Sequence, residues 1–181
     1  MDEWVDILDE NGNATGRTCL KSEAHAKGWF HPCVHIWFYT SNGDILVQQR
    51  GANKKTYPLL WDVSVAGHMA AGETSEEAAL REVEEEIGLR IKEADLQQVG
   101  VYKSLKLHKY GLIDAEFLNT FLHPLTVSVT NLVPQESEVA DIKLISLQEF
   151  ISVLHEPLTQ GHVPHDEVYI NGVLDLLRKQ L

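Results

Sequence analysis

Cysteine is scarce in this chain. Two among 181 residues, Cys19 and Cys33, cannot build a disulfide framework and read as reduced thiols. Basic residues are outnumbered: 15 Lys and Arg stand against 27 Asp and Glu, a formal net charge of −12. A surface that grips nucleic acid polymers needs many Lys and Arg contacts to phosphate, so that partner is not expected. A small anionic ligand remains compatible where a metal and local cations offset the field. There is no run of eighteen apolar residues, hence no expected membrane span. The opening Met1-Asp2-Glu3-Trp4 is acidic and lacks a signal-peptide pattern, so a cytoplasmic location is expected. Repeats, low-complexity tracts and linkers are missing too, and the length suits one domain over residues 1–181 with a sizeable core. The balance of 44% hydrophobic and 23% charged residues is that of a globular protein.

What is plentiful is carboxylate, and it is concentrated between Gly67 and Leu89, where a Gly-rich loop runs into a helix. Thr74 with Glu77 three residues later predicts a capping box at the helix start, near Thr74 or Ser75. Gly88 supplies a left-handed stop. At 3.6 residues per turn, Glu82, Glu85 and Glu86 share one face, while Leu80, Val83 and Ile87 share another that can pack on a sheet. Three carboxylates on one face repel unless a cation lies between them; the bland alternative is a solvated acidic face. Hard oxygen ligands suit Mg²⁺ or Mn²⁺, the usual handle on a diphosphate. Glu76, Glu77 and Glu84 read as surface charges.

Gly67, Glu73, Arg81, Glu82, Val83, Glu85, Glu86, Gly88 and Leu89 fill every fixed place of the Nudix box, and the chain resembles the Nudix hydrolase superfamily. The resemblance implies an α/β fold, an α/β/α sandwich with a mixed β-sheet. It also implies metal-dependent hydrolysis of a diphosphate linkage in a nucleoside diphosphate derivative or related small molecule. Glu82, Glu85 and Glu86 would hold Mg²⁺ or Mn²⁺, with Glu82 and Glu86 as the direct ligands and the backbone carbonyl of Gly67 or Ala66 contributing. The general base is left open among Glu85, Glu116 and Glu138. Glu73 would orient the loop or a water. Arg81 would orient a neighbouring carboxylate through a bidentate pair, and Gly88 is structural. Arg50, Lys54 and Lys55, ahead of the box, are the expected contacts to the distal phosphate.

A narrower resemblance joins Asp9-Glu10-Asn11-Gly12, Ala24-His25, Phe30-His31, Leu46-Val47-Gln48-Gln49-Arg50, Lys54-Lys55, Pro58, Trp61 and Ser64-Val65-Ala66-Gly67-His68 to the isopentenyl-diphosphate isomerase branch. It implies a second metal, Zn²⁺ or Mn²⁺, at His25, His31, His68 and Glu116, with Asp114 in the place of a further carboxylate. The isomerase carries a catalytic cysteine directly before the Gly-His of the box. This chain has Ala66 there, which has no proton to give, and Cys33 lies on another segment. The complete glutamate set favours hydrolysis over isomerisation, and equally over a non-catalytic binding module, which need not keep a costly acidic cluster.

Along the rest of the chain, strands are expected at Trp4 to Leu8, 15–20, Cys33 to Tyr39, Ile45 to Arg50, Trp61 to Val65, within Asp95 to Leu105, at Glu116 to Leu122 with Leu125 to Val129 extending it or pairing locally, and at Asp141 to Ile145. A helical turn or loop is expected at Lys21 to His25, and a short helix capped by Ser146 from Leu147 to Leu154. An amphipathic helix follows from about Asp166. Substrate selectivity is expected in the loops 25–31, 51–60, 104–115 and 155–166. The resemblance also allows a homodimer.

Overall fold

In a computed structural model, described over residues 2–180, a mixed sheet is covered by helices on both faces. An antiparallel hairpin, β1 (Trp4–Leu8) and β2 (Ala14–Leu20), leads into α1 (Lys21–Lys27). The sheet follows with β3 (His31–Tyr39), β4 (Asp44–Arg50), β5 (Trp61–Asp62) and β6 (Val65–His68). After α2 (Ser75–Ile87) come β7 (Gln97–Leu107), β8 (Ile113–Pro124) and β9 (Val139–Ser146), then α3 (Leu147–Val153) and α4 (Glu167–Gln180). The strand path is β5-β4-β3-β8-β7, with β9 beside β4 and β6 beside β3. Among the described strand pairs β3 and β8 run parallel and the others antiparallel.

Strand β3 is buried on both sides and largely apolar, as suits a central strand covered by two layers. Val34, Ile36 and Phe38 pack with Ala78, Ala79, Val83 and Ile87 of α2. Cys33 and Trp37 face the opposite layer, with Phe150 of α3 and Tyr169, Val173 and Leu177 of α4. Helix α2 starts as its sequence requires: Thr74 Oγ1 accepts from Glu77 N (3.2 Å) and Glu77 Oε2 from Thr74 N (3.0 Å). It ends at Gly88, whose φ of 67° is left-handed. Thr74→Ala removes one half of this box and is expected to destabilise the fold by ~1 kcal/mol, read from the midpoint of urea unfolding.

The stretch expected as one strand from Trp61 to Val65 is two. Asp62 and Trp61 pair with β4, whereas Val65 to His68 pair with β3. The cause is a fork. β3 keeps a single pairing with β4, Tyr39 to Ile45, and then takes β6 as its neighbour from Ile36 to Cys33. Ser64 fills the fork, its hydroxyl donating to Leu46 O (2.6 Å) and accepting from Phe38 N (2.8 Å). Residues 125–129 form no strand; a short 3₁₀ turn, Val129–Asn131, follows instead. β7 runs on to Leu107 and β8 begins at Ile113, so the expected 104–115 loop shrinks to a turn around Tyr110, which has a left-handed φ of 63°.

Candidate functional site

A cavity of about 700 Å³ lies where β3 and β4 part, and it takes in residues of α1, α2, β6, β7, β8 and the loop after β4. Helix α2 supplies the first group. Glu82 and Glu86 are buried and Glu85 is exposed, one helical face dividing between the sheet and the opening. Glu86 Oε2 accepts from Gln48 Nε2 (2.9 Å) and Ala66 N (3.2 Å). Those two bonds do not offset its burial, which pushes the carboxyl up to about 7. Burial also raises Glu82, against the pull of Arg81. Gly67 lies directly across from Glu82, and a Cβ built there would fall on the Glu82 carboxyl group. This is a cradle of hard oxygen donors with a bare backbone wall, and it fits Mg²⁺ or Mn²⁺.

Arg81 is the clamp the sequence suggested, with Glu73 as its main partner. Its Nε and Nη2 donate to Glu73 Oε1 and Oε2, both at 2.9 Å, while Nη1 donates to Glu82 Oε1 (2.7 Å) and Glu85 Oε2 (3.3 Å). Nη2 also reaches His68 O (2.9 Å), tying the helix to β6. Glu73 in turn accepts from Ala70 N (2.8 Å) and so fixes the loop. The Glu73 bond dominates in holding the guanidinium protonated.

The second group is imidazole. Ligand atoms of His25, His31, His68 and Glu116 all lie within 4.8 Å of one another. Strand register brings them together: the parallel β3–β8 pairing sets His31 beside Glu116, and β6 enters antiparallel to β3 with His68 opposite Cys33. His68 Nε2 is 3.5 Å from Glu116 Oε1 and 3.2 Å from His25 Nε2. Burial and the neighbouring His68 push His31 down to about 4, so it is neutral at pH 7. Its Nε2 is buried without a partner among the described residues. Burial alone would raise Glu116, but His68 and the imidazoles around it prevail and hold its carboxyl well below the usual range. A neutral imidazole with a free buried lone pair, beside an ionised carboxylate, fits Zn²⁺ or Mn²⁺.

Asp114, expected among these ligands, stands outside the group. Its carboxylate lies behind His25, 3.0 Å from Nδ1, and its other oxygen is 2.7 Å from His108 Nε2. That is the position of a carboxylate that fixes a ring's orientation. Arg50 is also differently engaged. It lines the cavity, but Nη1 donates to Asp62 Oδ2 (3.0 Å), Nε to Thr56 O (3.1 Å) and Nη2 to Thr56 Oγ1 (3.3 Å). Pairing of β4 with β5 places Asp62 within its reach; Lys54 and Lys55 of the following loop also line the cavity. Lys54 forms an ion pair with Glu138, which lines the same cavity.

Several lining residues gave no signal in the sequence. Cys33 is one: burial, with the charge of Glu116 added to it, pushes its thiol well up. His35, Asp62, Lys106 and His165 are others. Each is isolated in the chain, and only an alternating pattern around Ser104 and Lys106 in β7 could have pointed at one of them.

The profile of the NUDIX domain family matches residues 29–169. An uncharacterized Nudix hydrolase of Listeria monocytogenes is 36% identical over 150 residues, covering 82% of each chain. The isopentenyl-diphosphate Delta-isomerase of Nocardia farcinica is 34% identical over 137 residues, covering 71% of this chain and 76% of that one. Nudix hydrolase 3 of Arabidopsis thaliana is 31% identical over 99% of this chain, which spans 24% of that protein's length. Among solved structures, DR0079 of Deinococcus radiodurans superimposes with a TM-score of 0.69 at 17% identity, covering 98% of both chains.

Proposed function

The chain belongs to the NUDIX domain family, and on that premise we propose that it is a metal-dependent hydrolase of a diphosphate linkage, acting on a nucleoside diphosphate derivative or a related small molecule. One observation carries the reading. The carboxylate set Glu82, Glu85 and Glu86 is complete, and its two buried members face Gly67 and Ala66 in a cavity large enough for a small molecule. Mg²⁺ or Mn²⁺ held there would offset charge on the leaving phosphate and make a bound water acidic.

The chain's own residues supply the rest. Glu82 and Glu86 are the holders, with the carbonyl of Gly67 or Ala66. Arg81 keeps Glu82 and Glu85 in one orientation. Lys54 and Lys55 meet the distal phosphate, and a phosphate arriving at Lys54 competes with Glu138 for its ammonium. Freed of Lys54, Glu138 joins Glu85 and Glu116 as an acceptor for the water's proton. His25, His31, His68 and Glu116 would hold a second ion, Zn²⁺ or Mn²⁺, with Asp114 orienting His25.

Isomerisation of isopentenyl diphosphate is the second reading, and one observation favours it: Cys33 lines the same cavity as Glu116. Against it, Ala66 offers no proton, and a thiol pushed that high is a poor acid at neutral pH. The test is a hydrolysis screen with Mg²⁺ or Mn²⁺ over nucleotides, nucleotide sugars, coenzyme A and isopentenyl diphosphate, coupled to a phosphatase that frees phosphate from the monoester products but not from the intact diphosphates. Expected is metal-dependent hydrolysis of one class, abolished by EDTA. Conversion of isopentenyl to dimethylallyl diphosphate with no phosphate released would replace the hydrolase reading.

A further inference from the structure

A third polar group lines the cavity, and none of its members belongs to the glutamate face or the histidine group. β7 brings Lys106, β5 brings Asp62, and the segment before α4 brings His165. Asp62 is fully engaged. Its Oδ2 accepts from Arg50, and its Oδ1 meets His165 Nε2 (2.8 Å) and Val63 N (2.8 Å).

Lys106 is different. Its ammonium donates to Pro164 O (2.8 Å), the residue before His165, and lies 5.9 Å from the centre of the Tyr57 ring. Among the described residues no carboxylate comes within ion-pair distance of it: Asp62 is paired to Arg50 and His165, and Asp114, its cross-strand partner on β8, is paired to His25 and His108. An ammonium carries three donors, so two remain free on the wall of the cavity. The imidazole of His35, on the same wall, is buried and neutral at pH 7, held down to about 3 by burial and by His165. The ammonium therefore forms no ion pair of its own, and the one carboxylate across the strand from it is held by two imidazoles.

We propose that Lys106 is a specificity-determining residue whose free donors bind an oxygen-rich group on the non-phosphate half of the substrate. A hydrocarbon seated against this ammonium would strip water from a charge and return nothing. Hydroxyl or carbonyl oxygens replace that water with charge-assisted bonds. The wall thus selects a hydroxylated partner, such as a sugar, over an aliphatic chain. This inference rests on the reading of the cavity as a diphosphate site, but it does not require hydrolysis.

Binding separates the two. Wild-type protein and Lys106→Met are titrated by calorimetry with ADP-ribose and with isopentenyl diphosphate, using Ca²⁺ in place of Mg²⁺ to slow turnover. Wild type is expected to prefer ADP-ribose. Lys106→Met should weaken ADP-ribose about 10- to 100-fold and leave isopentenyl diphosphate unchanged, while Lys106→Arg keeps most of the preference. Equal weakening of both ligands, no change in either, or a wild type that binds neither or shows no preference would overturn the inference. Tight binding without turnover under Mg²⁺ would instead sink the hydrolase reading and leave this one standing.

Discussion

Glu86→Gln is expected to abolish hydrolysis and at the same time to stabilise the metal-free protein. Glu86 is buried, and burial lifts its carboxyl to about 7. The folded state therefore binds this proton more tightly than the unfolded chain does. Stability of the metal-free protein falls as pH rises from the ordinary carboxylate range near 4.5 through about 7, and the whole penalty is present above that window. At pH 8 it amounts to roughly 3 kcal/mol. Glutamine keeps the shape, and its carbonyl can still accept from Gln48 Nε2 and Ala66 N, the two bonds that Glu86 Oε2 accepts now. The variant should melt several degrees higher than wild type in EDTA at pH 8, with the difference shrinking toward pH 4.5. Activity under saturating Mg²⁺ should fall about 10²–10³-fold or more, since a neutral amide is a weak metal ligand. A variant as active as wild type would remove Glu86 from the metal site. One less stable than wild type at pH 8 would show that the buried charge is compensated in the empty protein.

Gly67→Ala should do comparable damage to activity with far less damage to the fold. The φ of Gly67 is not left-handed, so alanine is not excluded by backbone strain. What the methyl meets is the Glu82 carboxyl group. That end of the side chain can swing away, but it is held by Arg81 Nη1 at 2.7 Å, and moving it disturbs the Arg81 contacts to Glu73 and Glu85 as well. The expected cost to stability is about 1–2 kcal/mol. The expected loss in kcat/KM is about 10²-fold, with a matching rise in the Mg²⁺ concentration for half-maximal rate. Kinetics over a Mg²⁺ titration, beside thermal melts, read both. Unchanged metal dependence would mean that Glu82 does not hold the ion.

The two variants probe the part of the site that the sequence made plain. Helix α2 is a local object. Its capping box spans four residues, its stop is a single glycine, and its acidic face follows from helical pitch alone. The strands β1, β3, β4 and β9 were equally legible, because each is an apolar or alternating run closed by turn residues. The stretch from Trp61 to Val65 read as one strand because its composition is continuous. Its division depends on Ser64 bridging Phe38 and Leu46, two residues on two other strands.

The histidine group entered through family resemblance rather than through any spacing in the chain. His25 lies on α1, His31 on β3, His68 on β6 and Glu116 on β8. A reading of residues in order has no access to the parallel register that sets His31 beside Glu116. Asp114 and Arg50 show the same limit from the other side. Both had the right chemistry for the roles expected of them, yet neighbours unknowable from sequence, His25 and His108 for one and Asp62 for the other, had already claimed their polar atoms.

By itself, then, the sequence determined the family, the α/β class and the acidic face of α2, all of which rest on residues a few positions apart, where pitch and capping govern geometry. Tertiary structure decided which histidines converge, which carboxylate stands behind an imidazole, which cations are tied up in ion pairs and which, Lys106, is left facing the cavity without one. Those outcomes depend on strand register and on the fork between β3 and β4, where a shift of one residue would turn every side chain to the opposite face of the sheet.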